Sequence, residues 1–546
     1  MNAKNFAYEK RAEIIVAIVL VAVFAQLAFL SNYHSLTIDE FTNLGVGKYY
    51  VEHGDFSPFV FRDHPPLAYL INSIFLYPDG NPIWQQEPHD PFAIVNAYDI
   101  DYLLFISRLP FAFLSVILGF YIFRWSKELY GKKAAVLSTI LFGFEPTLLA
   151  HSSLATTDFT AVTFIFIAMY YFWKLEKLPT LKSFAIGGIA LGLALLSKHT
   201  ALLLLPIAAA FFLWKYRKSV IHKANISKIA LYFLIAFVMV WGAYGFQVAT
   251  VLDSVHSREK ALDFVNANYG GFQKDLIVTG LNAPLPAAQY FTALGYRAWH
   301  SATGATTYFL GDIYSKGVPG YHATAFLLKS PIPLLIFLGI FAFSLALRKR
   351  KINWKDEKHL IVFTVLYFLV LNFALNISIG LRHLLPIYPF LFVLLGPAVY
   401  LKFQLPSRQK AYKIAVAVLI AWYIAEAAFI FPHSLSYFNE FVGAQNGWMY
   451  LSGADVDWNQ EVKALGKYLE RRNYPEVKVP FIIHQLFINR YLQNYTFAPC
   501  SPENGFYAMS ATDLNLQNSE CYSWFKSYEP VDRVGYAILV YNITDA

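Results

Sequence analysis

Acidic and cationic side chains recur at the ends of apolar runs in this chain. Asp39 and Glu40, in Thr37-Ile38-Asp39-Glu40-Phe41, stand about nine residues beyond the first run. Either can act as a proton acceptor, and Thr37 or Asp39 equally suits the cap of a helix from about 40 to 52. His64 precedes Pro65-Pro66, a pair that starts a helix well, and helix starts attract anions. The apolar stretch Ala68–Tyr77 that follows is too short to span a bilayer, which predicts an interfacial or re-entrant helix. Glu145-Pro146, His151 and Asp158 cluster between two further runs. An ionisable residue such as Asp158 at membrane depth is a functional candidate, with helix capping as its alternative. Lys198-His199 and Arg382-His383 lie in other turns. Their cations suit phosphate, arginine above all through its planar fork, although long basic side chains also snorkel to lipid headgroups. Acid and cation side by side at a lipid boundary suit a reaction between a lipid-linked phosphate and a hydroxyl. The acid removes the hydroxyl proton, and the cations stabilise the departing phosphate.

The elements that position these groups are membrane helices. The chain has 546 residues, of which 57% are hydrophobic, 18% aromatic and only 15% charged, with mean hydropathy +0.41. Soluble cores cannot hide that much apolar surface. Runs near bilayer length fall at about 13–30, 103–123, 134–150, 158–173, 183–197, 199–214, 228–248, 325–346, 359–379, 383–401 and 412–431, which predicts about eleven transmembrane helices. No small-residue cleavage site follows the first run, so it reads as an uncleaved anchor. No repeat or low-complexity stretch interrupts the pattern.

Charge sets the orientation. With the N-terminus inside, the short inner segments 1–13, 124–133, 174–182, 215–228, 348–358 and 402–413 hold 25 Lys and Arg against 6 Asp and Glu. The formal charge of +8 is therefore positive-inside topology, and it argues against a nucleic-acid footprint. Three long segments, 31–102, 249–324 and 432–546, then lie outside. The expected domains are a catalytic membrane domain over 1–431 and an extracytoplasmic domain over 432–546. Strand-like runs at Val477–His484 and Arg533–Tyr541 make the latter a small α/β domain, and Cys500 and Cys521 can oxidise there. Every candidate falls on the outer face, so topology predicts one vestibule lined by Asp39, Glu40, Asp158, His64, Lys198, Arg382 and His383. Asn439-Glu440 and Asp455-Val456-Asp457-Trp458-Asn459-Gln460 add polar groups on the same side.

Four segments carry a resemblance: TIDEFTNLGVGKYY with the later GDF and DHPPLAYL, then LAHSSLATTD, YFLGDIYSKGVPGYHATAFLLKSP and GLRHLLPIYPFLF. The tail SYFNEFVGAQNG with DVDWNQEVKAL joins them. In this order they resemble the GT-C superfamily of polyprenyl-phosphate-dependent glycosyltransferases, in the branch of protein O-mannosyltransferases and lipid A aminoarabinose transferases. The resemblance covers residues 37 to about 465. It implies an α-helical polytopic GT-C fold and inverting transfer of one sugar from a polyprenyl phosphate carrier. It places the first-loop acid on Asp39, as base, with Glu40 beside it, and the second outer acid on Asp158. Many members have Lys where this chain has His64. Asn459 stands where Gly is expected, and the tail receives no catalytic residue. Some relatives use a divalent cation, for which Asp39 and Asp158 would be the candidates, and others need none.

The expected activity is a membrane glycosyltransferase at the plasma membrane of a prokaryote. Its partners would be a polyprenyl-phosphate sugar donor, a hydroxyl acceptor (protein Ser/Thr, a glycolipid or a wall polymer) and membrane lipids. A transporter or lipid flippase is the alternative from another class. Transporters place broken helices and charge near the midplane, whereas the charges here gather at one face beside long loops. A non-catalytic assembly factor would have little use for acids at both outer positions.

Overall fold

The computed structural model describes residues 3–53, 64–75, 99–217, 223–252, 258–474, 476–480, 485–517 and 519–545. Gly54, Asp55, Phe56, Asp63 and Tyr77, all in the first long loop read above, lie outside them, as do residues 481–484 of the strand expected at Val477–His484. The chain is an integral multi-pass membrane protein with a mostly helical fold. Among the described residues, six helices are long and apolar enough to cross a membrane, or up to eight if each of two bent pairs is one span. The other three of the eleven apolar runs fall on Thr157–Lys177, Leu181–Ser197 and Trp354–Phe373. The first of these carries Asp158 and three threonines, the second has only 17 residues, and the third opens on Lys355, Asp356, Glu357 and Lys358.

Two compact units emerge, each assembled from separated segments. The first comprises Met1–Phe41, Leu104–Leu154 and Thr303–Ala546. Its first helix packs on its neighbours through Val16, Phe123 and Ala135. Both bends lie in this unit and both follow from proline. Lys132–Gly143 turns by 65° into Pro146–Ser152, where Glu145 caps the new helix by accepting from the Leu148 N–H at 2.5 Å. Tyr321–Lys329 turns by 112° into Ile332–Ala346. Pro331 forces Ser330 into extended backbone, which ends one helix, and then starts the next. Lys329 ends the first arm of that elbow. Its ammonium donates to the carbonyls of Leu435, Tyr437 and Asp455 at 3.0, 3.0 and 2.5 Å, tying the membrane helices to the tail.

The tail carries a five-stranded mixed sheet in the order Tyr495–Phe497, Val477–Val479, Gly505–Ser510, Ile538–Ile543, Asp532–Val534. The first two pairings are parallel and the last two antiparallel. The helix Val462–Arg472 buries Leu465 against this sheet's core. The run Arg533–Tyr541, expected as one strand, is two. Gly535, at φ +57°, turns the chain between them. Cys500 and Cys521 are joined as a disulfide.

The second unit comprises Thr42–Leu103 and Ala155–Ala302. Thr157–Lys177, Leu181–Ser197 and Lys223–Ala243 form its helical core. A Cβ on Gly188 would stand 2.6 Å from the Tyr232 carbonyl oxygen. Only glycine lets those two backbones approach so closely. Pro65-Pro66 do start a helix, Leu67–Ser73, too short to span.

Candidate active site

The helix Ile38–His53 carries Asp39 and Glu40 in its first turn, and the two carboxylates diverge. Glu40 completes a capping arrangement with Thr37, accepting from its N–H at 3.1 Å and its hydroxyl at 2.9 Å. Arg108 holds the same carboxylate through Nε at 2.7 Å and Nη2 at 2.6 Å. The guanidinium also donates to the carbonyls of Ser31, His34 and Ser35. Both side chains are fully buried. Glu40, expected beside Asp39 as a second acid, is thus turned away from solvent and fixes the entry into the helix.

Asp39 faces the other way. Its Oδ2 takes a hydrogen bond from Arg382 Nη1 at 2.5 Å. The Asp39 side chain is 41% exposed and that of Arg382 only 11%, so the arginine is held by the protein while the acid stays open. A ring contact and the bracing of its turn hold it. Its guanidinium carbon lies 4.3 Å from the centre of the Trp458 ring, a cation–π contact. Gly380, at φ +118°, opens the short 3-10 helix Leu381–Ile387 that carries it. The Leu381 N–H donates to Asp455 at 2.9 Å, and the other Asp455 oxygen accepts from the Tyr321 hydroxyl at 2.6 Å. His383 sits on the same turn, its carbonyl accepting from the Tyr367 hydroxyl at 3.0 Å and its ring 6.3 Å from that of His322.

The tail residues around Trp458 explain the one position where this chain departs from the expected glycine. Asn459 has φ +73°, a region that asparagine tolerates better than most side chains. Its N–H donates to Asp457 at 3.0 Å, stabilising the turn. Burial raises the Asp457 carboxyl above the usual carboxylate range, while hydrogen bonds from Ser510, Asn459 and Thr512 oppose that shift.

The remaining candidates belong to the second unit. Thr156, not Asp158, is the N-cap of Thr157–Lys177. Asp158 instead accepts from Lys198 at 2.5 Å, with both side chains nearly buried. His199 approaches the Tyr290 carbonyl at 3.2 Å through Nε2. Lys198 and Arg297 lie within electrostatic reach of His199, and Arg297 contacts His64 Nε2 at 2.8 Å. His64 therefore stands where a permanent positive charge is supplied by Arg297. Sequence reading missed Arg297 and Arg108: the first lies in the amphipathic helix Ala288–Thr303, the second inside the apolar helix Ile100–Tyr130. Asp455 and Trp458 were legible as polar and aromatic tail residues, but not as supports for Arg382.

Among the described residues, no three His, Cys, Asp or Glu side chains gather as a ligand set for a metal ion. Asp39 and Asp158, the candidates for a divalent cation, each hold a basic side chain. The described residues at these two positions do not fit such an ion.

The sequence model of the family described as dolichyl-phosphate-mannose-protein mannosyltransferase matches residues 101–242. No curated protein sequence matches the chain. Among solved structures, ArnT from Cupriavidus metallidurans in its apo state aligns with TM-score 0.51 and 11% identity over 98% of both chains. The same protein bound to undecaprenyl phosphate aligns with TM-score 0.50 and 11% identity over 99% of this chain and 98% of that one. The Saccharomyces cerevisiae Pmt1–Pmt2 complex bound to its sugar donor gives TM-score 0.49 and 13% identity, over 77% and 90%. The likeness in fold rests on the two ArnT structures. The chain has the GT-C fold, and it resembles the polyprenyl-phosphate-dependent glycosyltransferases of the protein O-mannosyltransferase and lipid A aminoarabinose transferase branch.

Proposed function

We propose that this protein transfers a single sugar, with inversion, from a polyprenyl-phosphate carrier to a hydroxyl acceptor on the outer face of the membrane. The observation that carries the reading is the contact between an open carboxylate, Asp39, and a supported guanidinium, Arg382. The likeness to ArnT in fold and the family match over 101–242 support the same class of reaction.

The two groups divide the work. Asp39 takes the proton from the acceptor hydroxyl, whose oxygen attacks the anomeric carbon from the face opposite the phosphate. The bond between that carbon and the phosphate oxygen breaks, and the polyprenyl phosphate leaves with the electron pair. Its headgroup gains a second negative charge as it departs. Arg382 meets that charge with a planar fork that stays protonated at any working pH. Before substrate arrives the ion pair keeps both groups oriented, and the donor phosphate then replaces the carboxylate as partner of the guanidinium. Trp458 and the Asp455 brace keep the arginine in place during this exchange.

Purified protein in lipid, given a panel of polyprenyl-phosphate sugars and candidate acceptors, should release polyprenyl phosphate with one donor class. Release from none of them would remove the reading. Orientation is tested separately by single cysteines in a variant lacking Cys500 and Cys521. A membrane-impermeant reagent applied outside should label a cysteine at the exposed positions Gly271 or Ser527 and spare one at Lys351. The reverse pattern would put the reaction on the inner face.

A further inference from the structure

The first unit holds a polar cavity, none of whose lining belongs to the Asp39–Arg382 pair. It measures about 470 Å³, and its wall includes Tyr33, His433, Lys467, Arg471, Arg472 and Arg533. Tyr33 is the last residue of the apolar helix Lys10–Tyr33, and His433 follows the apolar helix Pro406–Ile430 by three residues. Phe29 and Phe431, near those same two ends, meet with ring centres 5.3 Å apart. The cavity thus lies where two membrane helices stop, at the depth of lipid headgroups.

Its charge is unbalanced. Lys467 and Arg471 stand four apart on Val462–Arg472, a spacing that sets like charges side by side on one helix face. Arg472 is neutralised by Asp532 at 3.0 Å, and Tyr468 also donates to that carboxylate, at 2.7 Å. Glu461 is engaged by His433 at 2.8 Å. Among the described residues, Lys467, Arg471 and Arg533 have no carboxylate within ion-pair distance. Arg533 donates to the Gln445 carbonyl, which leaves its charge uncompensated. Three unmatched cations around a cavity of this size call for an anion. Phe29, one turn before Tyr33 on the same helix and 51% exposed, suits the apolar chains attached to that anion.

We propose that this cavity binds the phosphate of an anionic membrane lipid and seats the C-terminal sheet region on the bilayer. Basic residues at this depth are each worth about fivefold in affinity for anionic lipid. Loss of three should therefore cost on the order of 100-fold.

The test uses the full chain in phosphatidylcholine nanodiscs with and without phosphatidylglycerol, read by thermal unfolding midpoint and by lipid retention in native mass spectrometry. Phosphatidylglycerol should raise the wild-type midpoint and remain bound. The triple variant Lys467→Gln, Arg471→Gln, Arg533→Gln should lose both effects, and the equal charge change Lys402→Gln, Arg408→Gln, Lys410→Gln should keep them. Should the triple variant fail to fold, Lys467→Gln alone, on the exposed face of its helix, should lose about fivefold. A cavity variant that retains the lipid response overturns the proposal, as does a control variant that loses as much. Inorganic phosphate should not compete with the lipid. Displacement of the lipid by inorganic phosphate at equal concentration would identify a soluble phosphate as the ligand and overturn the lipid assignment.

Discussion

Asp39 and Arg382, 343 positions apart in the chain, meet at 2.5 Å, and the arginine of the pair is the member that the fold holds. Arg382→Lys keeps the charge but loses the planar fork and the flat face over Trp458. It should weaken donor binding and slow turnover together. Arg382→Ala should lose more, about 3 kcal/mol in transition-state stabilisation. Donor binding and turnover measured on the Lys variant check this. Unchanged values would remove Arg382 from the site.

Glu40 and Arg108 are expected to behave oppositely to Asp39. Both are fully buried, so Glu40→Gln leaves an uncompensated guanidinium in the interior. The expected loss is about 3–5 kcal/mol in stability, seen as a lowered thermal midpoint. Asp39→Asn touches a half-open pair and should move stability by less than about 1 kcal/mol. A midpoint for Glu40→Gln equal to that of wild type would show that its carboxylate does not hold the helix entry.

Asp158 and Lys198 form another nearly buried pair, which a double-mutant cycle can weigh. Asp158→Asn alone should destabilise the protein, because the nearly buried Lys198 ammonium then loses the charge of the Asp158 carboxylate. Adding Lys198→Met removes that charge and should restore much of the loss. If Asp158 only stabilised its helix end, Asn would serve as well there, and the single variant would match wild type in stability.

How much of this was legible in the sequence follows from what sequence signals report. Apolar runs and loop charge mark membrane helices, and acids and cations at their ends mark candidates such as Asp39 and Arg382. Their meeting is not legible, because it depends on long-range packing that brings Trp458 and Asp455 of the tail against the Leu381–Ile387 turn. Arg108 was hidden for the opposite reason: inside an apolar helix it looks like an isolated polar residue, and only the fold reveals the carbonyls of Ser31, His34 and Ser35 around it. Two of the eleven runs, Thr157–Lys177 and Trp354–Phe373, are helices of spanning length whose openings carry Asp158 or the Lys355–Lys358 charges. The two units were invisible too, since each is built from segments that alternate along the chain.

The most direct test is the release of polyprenyl phosphate by wild type and by Asp39→Asn, both reconstituted in lipid with the same donor and acceptor. The variant preserves volume and removes only the proton acceptor, a loss of about 10²–10⁴ in rate for general-base catalysis. Wild type should release the carrier, and the variant should bind donor with an unchanged thermal midpoint while its release falls by that factor. Wild-type release from a folded Asp39→Asn protein would contradict the assignment of Asp39 as the base.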